Sequence, residues 1–464
     1  MTKSKAYDAV IIGTGQGGKP LALALAEKGL KVAVIEKRFV GGTCINYGCT
    51  PTKTMIASAE IAYKISESTK YGVSAGKVKV DLKKIMERKD GIVKEFRDGS
   101  EKALKDNKNI ELIFGTASFI SKYEIIIKLK NGTTKNITSN KIFINTGAIP
   151  FIPNIKGIEK IEYLTSESIM ELQKIPEHLI VIGGSYIGLE FGQMFRRFGS
   201  KVTIVEKNER IISKEDKDIS DELTKILTEE GIKIYCSHET NEISKTSDSK
   251  IRVILKKGKV KKTISGSHIL FAVGIKPNTA DLKLSSAGIN ITEKGYIRVN
   301  DKLETNVKNI YALGDANGGP AFTHVSYDDY RIIFENLFAK KKRTTAKRLI
   351  PYTLFTDPQL GRVGITENEA KEKKLNYLKA VLPMKNVARA YETGNSKGFM
   401  KAIIDAKTKK ILGCAVLGME GGEIMAMIQI AMMNNVPYTK LQEGIFSHPT
   451  LAESLNNLFS KIDL

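Results

Sequence analysis

Cysteine and histidine are scarce in this chain, with four of the first and five of the second among 464 residues. Four cysteines cannot staple a chain of this length as the disulfide framework of a secreted protein. No apolar run reaches the roughly 18 residues that a membrane-spanning helix needs. The opening MTKSKAYDAV enters strand-like sequence at once and carries no signal-peptide apolar core. A cytoplasmic location and no membrane partner are therefore expected. Acidic residues are also in deficit: 73 Lys and Arg stand against 51 Asp and Glu, a formal net charge of +22. Such a balance attracts polyanions nonspecifically. The lysines are nevertheless spread along the chain, and only residues 340–343 (KKKR) form a dense run. With neither zinc-finger spacing nor an aromatic-plus-basic RNA-binding motif, no specific nucleic-acid partner and no metal site are expected.

What remains is an ordinary globular composition, 42% hydrophobic and 27% charged, in a chain too long for one core. About three domains of ~150 residues each are expected. YDAVIIGTGQGGKPLALALAEKGLKVAVIEK reads as a buried strand, a glycine turn, a helix and a second strand ending on Glu36. Gly13, Gly15 and Gly18 fit G-x-G-x-x-G in the setting that gives the motif meaning. The first permits the tight turn, the second lets a pyrophosphate approach the backbone at the helix N-terminus, and the third lets helix and strand pack. Glu36 falls where a carboxylate accepts hydrogen bonds from ribose hydroxyls.

The unit returns. HLIVIGGSYIGLEFGQMFRRFGSKVTIVEK repeats it at a constant offset of 170 residues, so that Gly183, Gly188, Gly199 and Glu206 answer to Gly13, Gly18, Gly29 and Glu36. Two such folds imply two dinucleotides. Ser185 stands where the second glycine is expected and should make the second site the looser. Glu206 disfavours a 2′-phosphate and so points to NADH. Lys207 and Arg210 lie close enough to soften that, and NADPH stays open.

The two halves are joined by chemistry in GGTCINYGCTPTK, residues 41–53, where Cys44 and Cys49 stand five positions apart. The stretch from Pro51 onward reads as an amphipathic helix with Pro51 in its first turn, which sets Cys49 at or just before the helix N-terminus. There the helix dipole and free N–H groups favour a thiolate. Bridging two residues at this spacing needs a distorted turn, and Gly48 supplies the freedom for one. In a reducing compartment such a pair is catalytic rather than structural. Cys236 in IKIYCSH and Cys414 in ILGCAVLG lie in strand-like apolar runs and are read as inert core residues.

This order of glycine-rich nucleotide fold, C-x4-C pair and second nucleotide fold resembles, essentially end to end, the FAD-dependent pyridine nucleotide-disulfide oxidoreductases. NTGAIP around Thr146 and Gly147 is similar to the family's turn where the chain leaves the FAD domain, and FAVGIKPNT with Gly274 to its return. IYALGDANGGPAFTHVS is similar to the second FAD motif, in which Asp315 would bind the ribityl chain. The resemblance implies an α/β fold with two Rossmann-like domains, for FAD and NAD(P), and a C-terminal α+β dimerisation domain. Its divisions would fall at 1–150, 151–273, 274–345 (completing the FAD domain) and 346–464. Gly42 and Thr43 join Gly13, Gly15, Gly18, Glu36, Thr146, Gly147 and Asp315 as implied FAD contacts. Gly183, Tyr186, Ile187, Gly188, Glu206 and Gly274 are the implied NAD(P) contacts, with Tyr186 as a lid on the nicotinamide pocket.

In the family, hydride passes from NADH or NADPH to FAD and electrons leave into the disulfide, here Cys44–Cys49. Cys49 would be the flavin-side, charge-transfer sulfur and Cys44 the interchange thiol. Lys53 matches the lysine near the flavin ring and Glu190 its carboxylate partner; a cation there stabilises negative charge on reduced flavin. FMKAIIDAKTKKILGCAVLG predicts an antiparallel sheet and EIMAMIQIAMM a buried helix in the last domain, which in the family makes the homodimer. In IFSHPTLAESLNNLF, His448 and Glu453 fit the pattern in which the partner subunit's imidazole, oriented by a carboxylate, reaches the disulfide. An imidazole suits the task because it exchanges a proton near neutral pH. Pro449 follows a cis bond in relatives.

The resemblance leaves the substrate open. The tail LNNLFSKIDL has no cysteine to bring Hg(II) to a flavin. GGTCINYGCTPTKT and HPTLAESLNNLF are similar to the reactive-chlorine and hypothiocyanous-acid reductase branch. A small disulfide or oxidised-sulfur substrate is expected; a dihydrolipoamide dehydrogenase, a mercuric or other metal-ion reductase, or a low-turnover redox sensor are the alternatives.

Overall fold

The computed structural model describes residues 4–248 and 250–462. Its first sheet has eight strands and is built outward from Ala9–Ile12, whose four residues are all buried. Val32–Glu36 and Ile142–Ile144 flank that strand in parallel, followed by Ile110–Phe119 on one side and Ile310–Ala312 on the other. Strands covered on both faces carry unbroken apolar runs, as AVII and VAVIE do: Ile11 and Val34 face helix residues, while Val10, Ile12, Ala33 and Ile35 pack with Ile125, Ile127 and Ile137 and with Leu282 and Leu284. Helix Gly18–Glu27 spaces Leu21, Ala22, Leu25 and Ala26 along one face, and these pack with Ile11, Val34 and Ile332 in one core cluster. At the far side of Ile110–Phe119 the sheet turns antiparallel through Glu124–Leu129 and Thr134–Ser139, where buried and half-buried residues alternate.

The second parallel sheet orders Lys233–Tyr235, Lys201–Val205, His178–Ile182 and His268–Phe271. Helix Tyr186–Phe198 follows its central strand, and Gly199 closes that helix in the left-handed conformation. Three antiparallel strands, Glu239–Lys245, Ile251–Lys257 and Val260–Gly266, form a separate layer over Ile180, Ile182 and Phe271. The chain leaves and re-enters the first sheet side by side, because Ala148–Pro150 pairs antiparallel with Ile275–Pro277.

The C-terminal part is a five-stranded antiparallel sheet ordered Tyr352–Leu354, Gln359–Gly364, Ile411–Gly418, Phe399–Asp405 and Tyr377–Pro383. Ile424 and Ile428 of helix Gly421–Met433 and Leu455, Leu458 and Phe459 of helix Ser454–Phe459 complete its core. The helix read as buried is buried on one face only, since Ile430 and Met433 are exposed. The fold is thus the expected α/β assembly of two Rossmann-like regions and a C-terminal α+β unit. Among the described residues no helix is long and apolar enough to cross a membrane.

Candidate functional site

The two glycine turns are built alike. Gly13 and Gly183 have φ of +100° and +113°, a region that glycine adopts without strain. A Cβ on either would lie 2.3 or 2.4 Å from a carbonyl of the neighbouring strand end, Asn145 or Ala272. The third glycines are fixed just as tightly: a Cβ on Gly18 would meet the Gly13 carbonyl at 2.2 Å, and one on Gly188 the Gly183 carbonyl at 2.0 Å. Glu36 accepts from the Thr14 N–H at 3.1 Å and the Arg38 N–H at 2.8 Å. Glu206 repeats this with Gly184 N–H at 2.7 Å and Asn208 N–H at 2.8 Å. Each carboxylate is therefore locked beside its turn with lone pairs left over for hydroxyl donors.

Around the first turn the structure adds residues that the sequence reading passed over. Asn145 accepts the Gly18 N–H at 2.8 Å and donates to the Leu313 carbonyl at 2.8 Å, tying the helix start to the strand that precedes Asp315. Asp329 accepts from the Gly314 N–H at 2.8 Å and from Arg348 at 2.6 Å. Asn145 lies inside the quoted NTGAIP, but nothing in its spacing marks the side chain as a brace. Gly42, at φ +64°, packs so closely that a Cβ would sit 2.6 Å from the Gly15 Cα. Thr43 accepts the Tyr47 N–H at 2.8 Å and so closes the short helix Gly42–Asn46.

Two groups here have no side-chain partner among the described residues. The buried Thr146 hydroxyl has no hydrogen-bond partner among the described residues. Asp315 makes no ion pair among them, and burial together with the nearby Asp329 pushes its carboxyl up to about 6. Gly147 turns at φ +68° beside them. A glycine-walled cradle with an unpartnered hydroxyl and a carboxyl that pairs with no cation is what a polyhydroxylated dinucleotide such as FAD would fill. In the second turn Ser185 is exposed, in extended backbone, and makes no cap hydrogen bond. Tyr186 begins the helix with Ile187 exposed next to it, while Gly274, at φ +127°, has open space where a Cβ would stand.

The cysteines meet in front of this cradle. Helix Gly42–Asn46 carries Cys44, Gly48 breaks the chain at φ −133°, ψ −113°, and helix Cys49–Ser66 begins on Cys49 itself. The expected distorted turn is thus a helix break that sets the two free thiols beside each other. The Cys44 thiol beside it, then Thr323 and Lys53, pull Cys49 down to about 6 against the opposing effect of burial. Cys44 is pushed up by the same bond and by burial. Thr323, another residue the sequence reading did not single out, places its hydroxyl 3.4 Å from the Cys49 sulfur at the start of helix Thr323–Phe338.

Lys53 lies one turn beyond Cys49 and reaches Glu190 at 2.7 Å, with side chains 32% and 8% exposed. Glu190 also accepts the Phe355 N–H at 3.0 Å, and the Lys53 ammonium sits 4.6 Å over the Phe355 ring. The first nucleotide unit, the second and the C-terminal sheet thus converge on one ion pair. His448 stands elsewhere: its Nδ1 lies 2.9 Å from Glu453, its ring is 67% exposed, and the His448–Pro449 bond is cis. Of the remaining cysteines, Cys414 is buried in its strand, whereas Cys236 is half-buried one residue past the end of Lys233–Tyr235.

Comparison with known proteins agrees with this geometry. The pyridine nucleotide-disulphide oxidoreductase family model matches residues 7–329, and that family's dimerisation domain matches 350–459. A probable pyridine nucleotide-disulfide oxidoreductase of Escherichia coli, RclA, is 37% identical over 98% of this chain and 99% of its own. A dihydrolipoyl dehydrogenase of Thermus scotoductus is 35% identical over 97% of this chain and 96% of its own, and a mercuric reductase of Staphylococcus aureus 35% over 97% and 81%. The Escherichia coli structure described as the Cu(II) complex of the HOCl-induced flavoprotein disulfide reductase RclA superposes with a TM-score of 0.90, covering 99% of both chains. With both nucleotide turns, the sulfur pair and the C-terminal sheet accounted for by one family along the whole chain, this protein belongs to the pyridine nucleotide-disulphide oxidoreductases, FAD-dependent flavoprotein reductases that use NAD(P)H.

Proposed function

We infer that the protein uses NAD(P)H to reduce a small oxidised-sulfur substrate, hypothiocyanous acid or a compound of its kind, through Cys44 and Cys49 in the cytoplasm. The observation that carries this reading is the setting of the pair: Cys49 opens its helix with Cys44 beside it, the Thr323 hydroxyl 3.4 Å from its sulfur and Lys53 one turn on, which together draw it down to about 6. The low-pKa sulfur is the one kept as thiolate, and its neighbour attacks once a base has taken its proton. We assign residues 1–150 and 274–345 to FAD, 151–273 to NAD(P)H, and 346–464 to the homodimer contact. When bound, FAD supplies the two-electron relay between the pyridine nucleotide and this disulfide.

In this reading the partner subunit's His448 takes the Cys44 proton, and the Cys44 sulfur attacks the sulfur of HOSCN. An S–S bond forms, the S–O bond breaks, and the departing hydroxide leaves as water after taking a proton. The Cys49 thiolate then displaces thiocyanate from Cys44 and closes the disulfide. Restoring both thiols consumes one hydride equivalent, so HOSCN and NAD(P)H give thiocyanate, water and NAD(P)+. Lys53 holds positive charge where Glu190 anchors it, near the sulfur that keeps its negative charge. The partner subunit's His448 passes the Cys44 proton on to that hydroxide, its ring held by its Glu453 in the tautomer that leaves Nε2 free to exchange. That assignment rests on the Nδ1 contact and on the ring's exposure, which suits a group meant to meet another surface.

The RclA structure's description as HOCl-induced sits with an oxidised-sulfur substrate, whereas the dihydrolipoyl dehydrogenase relative keeps lipoamide as the second reading. A panel of hypothiocyanite, lipoamide, oxidised glutathione and Hg(II), each with NADH and with NADPH, separates them. Fastest turnover with hypothiocyanite, abolished in Cys44→Ser, is expected; turnover that survives Cys44→Ser overturns the cysteine route, and preference for lipoamide overturns the substrate.

A further inference from the structure

Between the second glycine turn and the antiparallel sheet lies a cluster that the reaction above does not use. Tyr352, first residue of its strand, donates its hydroxyl to Oε1 of Glu215. Glu215 is 1% exposed; its other oxygen has no hydrogen-bond partner among the described residues, and the Nε of Arg362, itself 2% exposed, lies 3.8 Å away. The carboxylate is anchored to the nucleotide turn as well. Glu215 donates its N–H to the Ile212 carbonyl, and Ile212 in turn donates to the Gly184 carbonyl, both at 2.8 Å. The Tyr352 ring has two aromatic neighbours: Phe322, stacked at 5.6 Å and 9°, and Tyr186, at 5.5 Å and 54°.

We propose that Tyr352, held by Glu215, is a positioning residue that seats the Tyr186 ring in its closed place over the nicotinamide pocket. This rests on the reading of Tyr186 as the lid of that pocket. The physical case has three parts. Tyr186 opens its helix on an exposed, uncapped serine, so its own backbone offers little to hold the ring. The surface it rests against is immobilised by the hydrogen bond from Tyr352 to the buried Glu215, in a site shielded from water. That carboxylate lies on a loop bonded to the turn from which Tyr186 emerges, so ring and seat share one frame. A purely structural brace between the second nucleotide unit and the C-terminal sheet already exists in Lys401, 1% exposed and 2.8 Å from both Asp216 and Asp218. Tyr352 is not needed for that purpose.

A nicotinamide ring enters only when Tyr186 leaves its seat, so the closed population lowers the apparent affinity in proportion. Tyr352→Phe keeps the ring and removes its anchor. The experiment is calorimetric binding of NAD+ and NADP+ to the oxidised holoenzyme for Tyr352→Phe, Tyr186→Ala and the double variant. Tyr352→Phe is expected to tighten binding by about three- to tenfold, the scale of one such hydrogen bond. It should add nothing in the Tyr186→Ala background. Phe322→Leu, which loosens the same seat from its other neighbour, should shift affinity in the same direction and serves if Tyr352→Phe fails to load FAD. Unchanged or weaker binding in Tyr352→Phe with a lowered melting temperature would make the contact a brace and overturn the proposal. If Tyr186→Ala leaves affinity untouched, the lid reading fails and takes the seat with it; if Tyr186→Ala tightens binding and Tyr352→Phe does not, the seat alone falls.

Discussion

The hydroxyl of Thr323 offers the sharpest test of how the sulfur pair is tuned. Cys49 is held near 6 by the Cys44 thiol first and then by Thr323 and Lys53. Thr323→Val removes the donor with little change of shape. A hydrogen bond to a charged group contributes about 1.5–3 kcal/mol, which corresponds to about one to two pKa units. The contact is 3.4 Å long, which favours the lower end. The Cys49 pKa should therefore rise by about one unit, toward its ordinary value, because the lost interaction favoured the thiolate. Thiolate absorbance near 240 nm and the pH dependence of iodoacetamide alkylation, both on enzyme reduced by two electrons, measure it. The alkylation profile should shift to higher pH while Cys414, buried in its strand, stays silent. A profile that does not move would mean that Cys44, Lys53 and the helix start account for the low value without Thr323. A shift to lower pH would refute the reasoning outright.

Asp315→Asn tests the second FAD motif with a sign that depends on pH. Its carboxyl is raised to about 6 from an unfolded value near 3.9, so the flavin-free protein loses stability as pH rises through that window. Asp315→Asn should raise the melting temperature of flavin-free protein at pH 8, by the equivalent of at most about 3 kcal/mol, leave it nearly unchanged at pH 3.5, and weaken FAD retention. Lys53→Met strands a Glu190 that is 8% exposed. Since Lys53 is itself a third exposed, a cost of about 1–2 kcal/mol in denaturant unfolding is expected rather than that of a fully buried pair. Gly18→Ala, whose new methyl would lie 2.2 Å from the Gly13 carbonyl, should yield protein that binds little FAD, and normal flavin content would contradict the packing described.

The parts of this protein that could be read from sequence are those where one residue type answers to one local requirement. The offset of 170 residues between the two nucleotide units survives in three dimensions: Thr14, Glu36 and Arg38 correspond to Gly184, Glu206 and Asn208 in the same hydrogen bonds. Such bonds run between residues 22 or 2 apart, through a turn and strand that the pattern already specifies. Cys49 at a helix start follows in the same way from Gly48 and Pro51. Lys53 and Glu190, 137 positions apart, were paired only through the resemblance to a known family, since no local pattern links them.

Asn145, Asp329, Thr323 and Tyr352 escaped because their roles are set by what the fold brings to them. Thr323 lies 274 positions from Cys49, in a stretch read for its aspartate. Tyr352 opens a strand whose aromatic residue satisfies β-propensity wherever it faces. Its meaning appears only when Glu215, in the second nucleotide unit, is found beneath its hydroxyl, and Tyr186, from the same unit, beside its ring. The sulfur side and the nucleotide side meet through Phe322, which stacks on Tyr352 and immediately precedes Thr323. A change at Tyr352 can therefore reach Cys49 through a single backbone step. This gives the two variants a relation that can be checked: if Phe322 carries strain between them, Tyr352→Phe shifts the Cys49 alkylation profile as Thr323→Val does, only less. If the seat acts on the lid alone, that profile stays where it was while nucleotide affinity changes.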